Sequence, residues 1–203
     1  MPRDYFRCLY RHKGVERFLI WFSDDRDGVF ADAFHRVPTF ASAEALESAF
    51  PALVDAEIVP HAPILHDLDA VESRCRADGS LVIDSADFLA AWNLFIDVAR
   101  SVGDAGASYL ASDSVLGHEY EKMFFGNNLP AMTPPGEHYT PTWTDDELDD
   151  IRRHVILGFD LFEATTYAHV PGTNQGESGR GDGIALVSPP TPPGMRLRTE
   201  RFH

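Results

Sequence analysis

Residues 5–22 read YFRCLYRHKGVERFLIWF. In the first half of this stretch every second residue is apolar or aromatic, so that Phe6, Cys8 and Tyr10 fall on one face of a strand. The second half is rich in aromatic and β-branched residues, which favour a half-buried sheet. Between the halves, residues 12–14 are His-Lys-Gly and have the composition of a tight turn. The stretch therefore predicts a β-hairpin.

The sequence that follows is mostly helical in its periodicity. Asp84 precedes a helix of about 17 residues whose apolar side chains form one stripe, and Gly103 ends it. Thr144 and Glu147 have the spacing of a capping box and start the last helix. Strands first and helices later indicate an α+β fold: an N-terminal antiparallel sheet of about three strands packed with four to five helices. The remaining elements expected are a weak strand at 29–34 and helices at 43–50, where Pro51 stops the helix, 67–76 and 113–125.

Composition divides the chain into two parts. Residues 169–203 contain 6 Gly and 5 Pro among 35 residues, which is typical of flexible tails. We therefore expect one α+β domain at 1–168 and a disordered-type tail at 169–203.

Charge narrows the range of partners. The chain has 32 Asp and Glu against 17 Lys and Arg, a formal charge of −15. This composition argues against nucleic acid and against anionic membranes, because both are bound through Lys and Arg. An acidic surface instead attracts a basic protein. With no apolar run long enough to cross a membrane and no signal segment at Met1, we expect a cytoplasmic protein.

Motifs for catalysis are weak. The sequence has no Gly-x-Ser-x-Gly elbow and no phosphate-binding loop, so no cofactor is expected. Cys8 and Cys75 stand apart from other metal-ligating residues and are interpreted as buried, reduced thiols.

One short segment leaves a metal-assisted hydrolase open as an alternative. His61, His66 and Asp67, with Glu119 as a further candidate, are residue types that ligate divalent metals or transfer protons. Their spacing matches no zinc signature, and hydrogen-bonded loop histidines explain the same residues.

Two further features are candidate surfaces for a protein partner. The first is a set of acidic and amide side chains on two helices, which a solvated helix face also explains. The second is the segment 124–130, either a simple helix end or a rigid recognition loop. The candidate partner-binding residues are Asp87, Asn93, Asp97, Asn127, Asn128, Asp145, Asp146, Asp149 and Asp150.

Four segments together give the chain a family resemblance. The aromatic strand pair, residues 91–95 (AWNLF), residues 124–130 and residues 139–141 resemble small acidic bacterial immunity proteins of polymorphic-toxin and contact-dependent inhibition systems. The resemblance covers about residues 5–165. It implies a catalytically inert cytoplasmic protein that binds one toxin domain and blocks its active site or substrate groove, and the acidic charge of the chain indicates that this toxin domain is basic. An adaptor that docks through its basic tail is a third interpretation.

Overall fold

The computed structural model describes residues 3–170, so nearly all of the predicted tail lies outside the described residues. The strands are β1 (Asp4–His12), β2 (Val15–Ser23), β3 (Gly28–Val29), β4 (Val37–Thr39), β5 (Leu65–Asp67) and β6 (Thr166–Ala168). The α-helices are α1 (Ala43–Leu53), α2 (Leu68–Arg76), α3 (Ser85–Ser101), α4 (Ala107–Asp113), α5 (Gly117–Gly126) and α6 (Asp145–Thr165). The α+β class is confirmed.

The predicted hairpin is confirmed. β1 and β2 pair antiparallel from Asp4↔Ser23 to His12↔Val15. Lys13 and Gly14 form the two-residue turn, and both have positive φ, 53° and 72°, as the right-handed twist of a hairpin requires. The carboxylate of Asp69, on α2, accepts hydrogen bonds from the backbone N–H groups of Lys13 (2.6 Å) and Gly14 (2.9 Å). Helix α2 therefore holds the hairpin tip.

The sheet has the strand order β3-β2-β1-β5 and differs from the expected antiparallel one. β5 pairs with β1 in parallel, which makes the sheet mixed. β3 is only two residues long, because the Asp32 side chain accepts hydrogen bonds from Phe34 N and Arg36 N and folds the predicted strand 29–34 into a turn. A separate parallel pair, β4 with β6, was not expected.

Three helices begin where the sequence predicts. The side chains of Ser42, Asp84 and Thr144 each cap the first turn of a helix, and the capping box of Thr144 and Glu147 is complete. The expected helix 113–125 corresponds to α5, which begins four residues later than expected, at Gly117. The preceding helix α4 was not expected, and it raises the number of α-helices among the described residues to six. α1 also continues past Pro51 to Leu53, since a proline near the end of a helix interrupts few of its hydrogen bonds.

Helix α3 is the centre of the main core. Phe88, Trp92 and Phe95 on α3 are completely buried and pack with apolar side chains of α2, α5 and α6. Leu19 joins this core, whereas the next residue, Ile20, joins a smaller cluster with α1 on the other face of the sheet. Alternate residues of β2 thus bury both faces of the sheet. No helix within residues 3–170 has the length and apolar character that a membrane span needs.

Candidate functional site

A groove with a volume of about 1360 Å³ is bounded by β1, β2, α3, α5 and the connection before β5. It brings together residues that the sequence analysis assigned to two different hypotheses, since Asn93 and Asp97 line it together with His61 and His66. The acidic lining residues are Asp24, Asp25, Asp27, Asp97 and Asp113, and the basic ones are Arg7, Arg26 and Arg100.

Asp97 is a buried carboxyl group in this groove, and its pKa is strongly shifted. The sequence analysis places it on an exposed acidic helix face, but the residue is only 9% exposed. Burial raises the pKa of Asp97 to about 6, against the opposing effect of the hydrogen bond that Trp21 Nε1 donates to its Oδ2 (2.8 Å). The helical periodicity could not show this, because the covering side chain comes from strand β2.

The three residues of the hydrolase hypothesis have separate structural roles. Burial lowers the pKa of His66, and a hydrogen bond with the backbone of Ala90 opposes that shift. The carbonyl oxygen of His61 accepts a hydrogen bond from Arg7 Nη2 (2.8 Å). Asp67 caps α2 through Oδ1 and accepts a hydrogen bond from Arg11 Nη1 (3.0 Å) through Oδ2. Asp67 is thus engaged at both oxygens and does not line the groove.

Asn128 pins a loop. Its Nδ2 donates to the carbonyl oxygens of Gly126 (2.8 Å) and Tyr139 (2.9 Å), and its Oδ1 accepts a hydrogen bond from Tyr139 N (2.7 Å). Asn128 also has a positive φ of 48°, which asparagine tolerates better than most residues. The neighbouring Asn127 caps the C-terminus of α5 through its backbone N–H. The amide side chain of Asn128 therefore fixes the loop rather than pointing to a partner.

The last turn of α5 and the same loop carry exposed apolar side chains. Phe125, Leu129, Met132 and Tyr139 are 53%, 37%, 58% and 44% exposed. Exposed apolar side chains in and next to one fixed loop are typical of a protein contact surface.

The first two turns of α6 follow this loop and are acidic. Asp145, Asp146 and Asp149 are exposed, and none of the ion pairs in residues 3–170 includes them. Asp150 pairs with Arg153 on the same helix. We define the loop–helix surface as Phe125, Leu129, Met132, Tyr139, Asp145, Asp146 and Asp149.

Helix α5 holds the start of α6 in place. Lys122 Nζ donates to both carboxylate oxygens of Glu147, at 2.7 and 2.8 Å, and lies 4.6 Å from the centre of the Trp143 ring. Pro141 also lies against Gly126, where an added Cβ would collide with it. These contacts place the acidic turns beside the pinned loop.

The other two candidate partner-binding residues on α3 are engaged within the chain. Asp87 pairs with Arg74 (2.9 Å), and Asn93 Oδ1 accepts a hydrogen bond from the hydroxyl of Tyr120 (2.9 Å).

A buried histidine was missed by the sequence analysis. His154 is 1% exposed, its ring lies 4.3 Å from those of both Trp92 and Tyr109, and its Nδ1 is 3.0 Å from Ser112 Oγ. Burial lowers the pKa of His154 to about 4, although nearby Asp113 opposes the shift. His154 falls on the apolar stripe of α6, which was the available signal.

Both cysteines are confirmed as buried free thiols. Burial raises the pKa of Cys8 to about 12 and that of Cys75 to about 11, so neither is a ready nucleophile.

The structure also brings together three metal-ligating side chains that the sequence analysis did not connect. Among the described residues, His12, Glu72 and Glu163 offer ligand atoms that lie within 4.8 Å of one another. His61, His66 and Asp67 do not form such a group.

Comparison with known proteins gives a distant structural likeness. No family model and no curated protein matches the chain. Among solved structures, the chain is similar to the C-terminal domain of SatS, crystallised in complex with bromine, at 14% sequence identity and a TM-score of 0.49. The match covers 82% of this chain and 94% of that one. This likeness is too remote to bear on function.

Proposed function

We propose that the chain is a non-catalytic binding protein of the toxin-immunity type, and that it holds a basic toxin domain on the loop–helix surface. One observation carries the proposal: exposed apolar side chains at the end of α5 and on the loop that Asn128 fixes are followed by exposed carboxylates, at the start of α6, that form no ion pair in residues 3–170. Apolar anchors rimmed by charge are the common pattern of protein interfaces.

The balance of ion pairs in the described residues supports this role. Residues 3–170 contain 29 Asp and Glu but only 13 Lys and Arg. Most of these bases already contact a carboxylate, as Lys122 contacts Glu147 and Arg74 contacts Asp87. The acids left over, Asp145 and Asp146 among them, are available to pair with the Arg and Lys of another protein.

The test combines charge reversal with inhibition. The full chain is used to capture its partner at low salt, and the purified partner is then assayed with a variant carrying Asp145→Lys, Asp146→Lys and Asp149→Lys. We expect the association rate to fall at least about tenfold at low salt and to depend less on salt, because steering by opposite charges is lost. The wild-type chain should inhibit the partner's activity at a one-to-one ratio.

A matched control uses two exposed acids elsewhere, Asp55→Lys with Glu57→Lys on the connection before β5. This variant changes the net charge in the same direction and should associate nearly as fast as the wild type. Equal association rates for the triple Asp→Lys variant of α6 and for the wild type would show that the loop–helix surface does not bind the partner. A captured partner whose activity the chain leaves untouched would refute the immunity role.

A further inference from the structure

The side chains of His12, Glu72 and Glu163 meet where β1, α2 and α6 come together. His12 is the last residue of β1, Glu72 lies in the middle of α2, and Glu163 lies near the end of α6. His12 Nε2 is 3.3 Å from Glu72 Oε2 and 3.6 Å from Glu163 Oε1. Three elements distant in sequence therefore point one nitrogen and two carboxylate oxygens at a single position.

The nitrogen at this position is buried without a hydrogen bond. The His12 side chain is only 8% exposed, and its Nε2 has no hydrogen-bond partner among the described residues. A cation placed between the three atoms would be attracted by both carboxylates and would give Nε2 a partner.

The two carboxylates are held so that one oxygen of each remains free to bind a cation. Glu72 Oε1 accepts a hydrogen bond from Arg76 Nε at 2.7 Å, which leaves Oε2 facing His12. Glu163 Oε2 lies 2.7 Å from Lys13 Nζ, which leaves Oε1 facing His12. Basic side chains that bind the outer oxygen of a carboxylate ligand are a common way of orienting it.

The imidazole is fixed as firmly as the carboxylates. Its ring stacks on Phe159 with centroids 5.5 Å apart and meets the edge of Phe162 at 6.1 Å. Both phenylalanines belong to the buried face of α6. The ring can therefore turn little without disturbing the core.

We infer that His12, Glu72 and Glu163 form a binding site for one divalent transition-metal ion, with zinc as the ion that the geometry fits. Metal–ligand bonds of about 2.0–2.1 Å in a tetrahedron place neighbouring ligand atoms roughly 3.3 Å apart. The two distances from His12 Nε2 are close to that value. An imidazole ligand disfavours Ca²⁺ and Mg²⁺, which take oxygen.

Three protein ligands leave a fourth position of the tetrahedron for water. Glu163 is 38% exposed, so this position opens to solvent. The excess of 29 acids over 13 bases in residues 3–170 also favours a cation, despite the nearby Arg76 and Lys13. The site is independent of the loop–helix surface.

The experiment is a titration of the full chain, freed of metal with a chelator, with Zn²⁺ by isothermal calorimetry and with Co²⁺ by visible absorption. We expect one ion per chain, the spectrum of a four-coordinate Co²⁺ ion and a rise in melting temperature with Zn²⁺. His12→Ala and Glu163→Gln should each weaken binding at least about tenfold. The control is His118→Ala, which removes an exposed histidine 3.5 Å from Glu147.

Each outcome is decisive. The site is established if metal binding is weakened in His12→Ala and in Glu163→Gln but is unchanged in His118→Ala. No stoichiometric ion in the wild type, or equal binding by all variants, overturns the inference. If circular dichroism shows that His12→Ala is unfolded, Glu163→Gln decides alone, because this substitution keeps the shape of a partly exposed side chain.

Discussion

Asp97 and His154 are two buried titratable side chains whose effects on stability oppose each other. Burial raises the pKa of Asp97 to about 6, so the folded state binds its proton more tightly than the unfolded state does. Acidification from about pH 6 towards the ordinary value of 3.8 therefore stabilises the fold through Asp97. Burial lowers the pKa of His154 from 6.5 to about 4, so acidification over that range destabilises the fold through His154.

Replacing Asp97 should reveal the effect of His154. We expect Asp97→Asn to be more stable than the wild type at pH 7, by up to about 3 kcal/mol, because the cost of a buried charge is removed. Asparagine can still accept the hydrogen bond of Trp21. The variant should also lose stability more steeply between pH 6.5 and pH 4.5, measured as the free energy of unfolding in urea at about five pH values.

Asp149→Asn is the matched control, since it removes an exposed carboxylate that forms no ion pair within residues 3–170 and should change neither quantity appreciably. A destabilised Asp97→Asn variant at pH 7 would contradict the prediction. It would mean that the charged carboxylate contributes more through Trp21 than it costs by burial.

At the scale of elements, helix starts were predictable and pairings between distant elements were not. Ser42, Asp84 and Thr144 cap their helices through backbone N–H groups two or three residues ahead, so the signal is local in sequence. β5 and β6 are three residues each, and their partners lie far away in the chain. Such short strands have too few alternating residues for their pairing to be read from the sequence.

The contact between α3 and α6 depends on Gly158. A Cβ at Gly158 would overlap the ring of Phe95, which is completely buried. We expect Gly158→Ala to destabilise the protein by about 1–3 kcal/mol, because the core has no space into which Phe95 can shift without strain. The measurement is the midpoint of urea unfolding.

Gly117→Ala serves as its control, since a Cβ there would meet no atom within 4 Å. Alanine at the start of α5 should change stability by less than about 1 kcal/mol. A Gly158→Ala variant as stable as this control would show that α3 and α6 can separate slightly without loss.

At the scale of the whole molecule, the ion pairs within residues 3–170 leave a large surplus of negative charge. Like charges on one surface repel each other, and this repulsion acts against a compact state. We therefore expect the melting temperature to rise as NaCl is increased from about 10 mM to about 150 mM, where the Debye length shortens to about 8 Å. The variant with Asp145, Asp146 and Asp149 changed to Lys should show a smaller rise. A melting temperature that falls with added salt would contradict the prediction.

The sequence by itself determined the features that depend on near neighbours in the chain. These are the β1–β2 hairpin, the caps of α1, α3 and α6, the buried stripe of α3, and the excess of acids. Alternation, capping and charge count are local or additive properties, so they can be read without knowing which elements meet.

The tertiary structure alone decided which side chains share a site. Asp97 is buried because strand β2 brings Trp21 over it, and His61 and Asn93 line one groove because the connection before β5 runs beside α3. His12 and Glu163 meet because α6 packs against the end of β1. These contacts between distant residues depend on how the helices and strands pack into one core. The free energy of that packing is distributed over many contacts, so no single segment of the sequence encodes it.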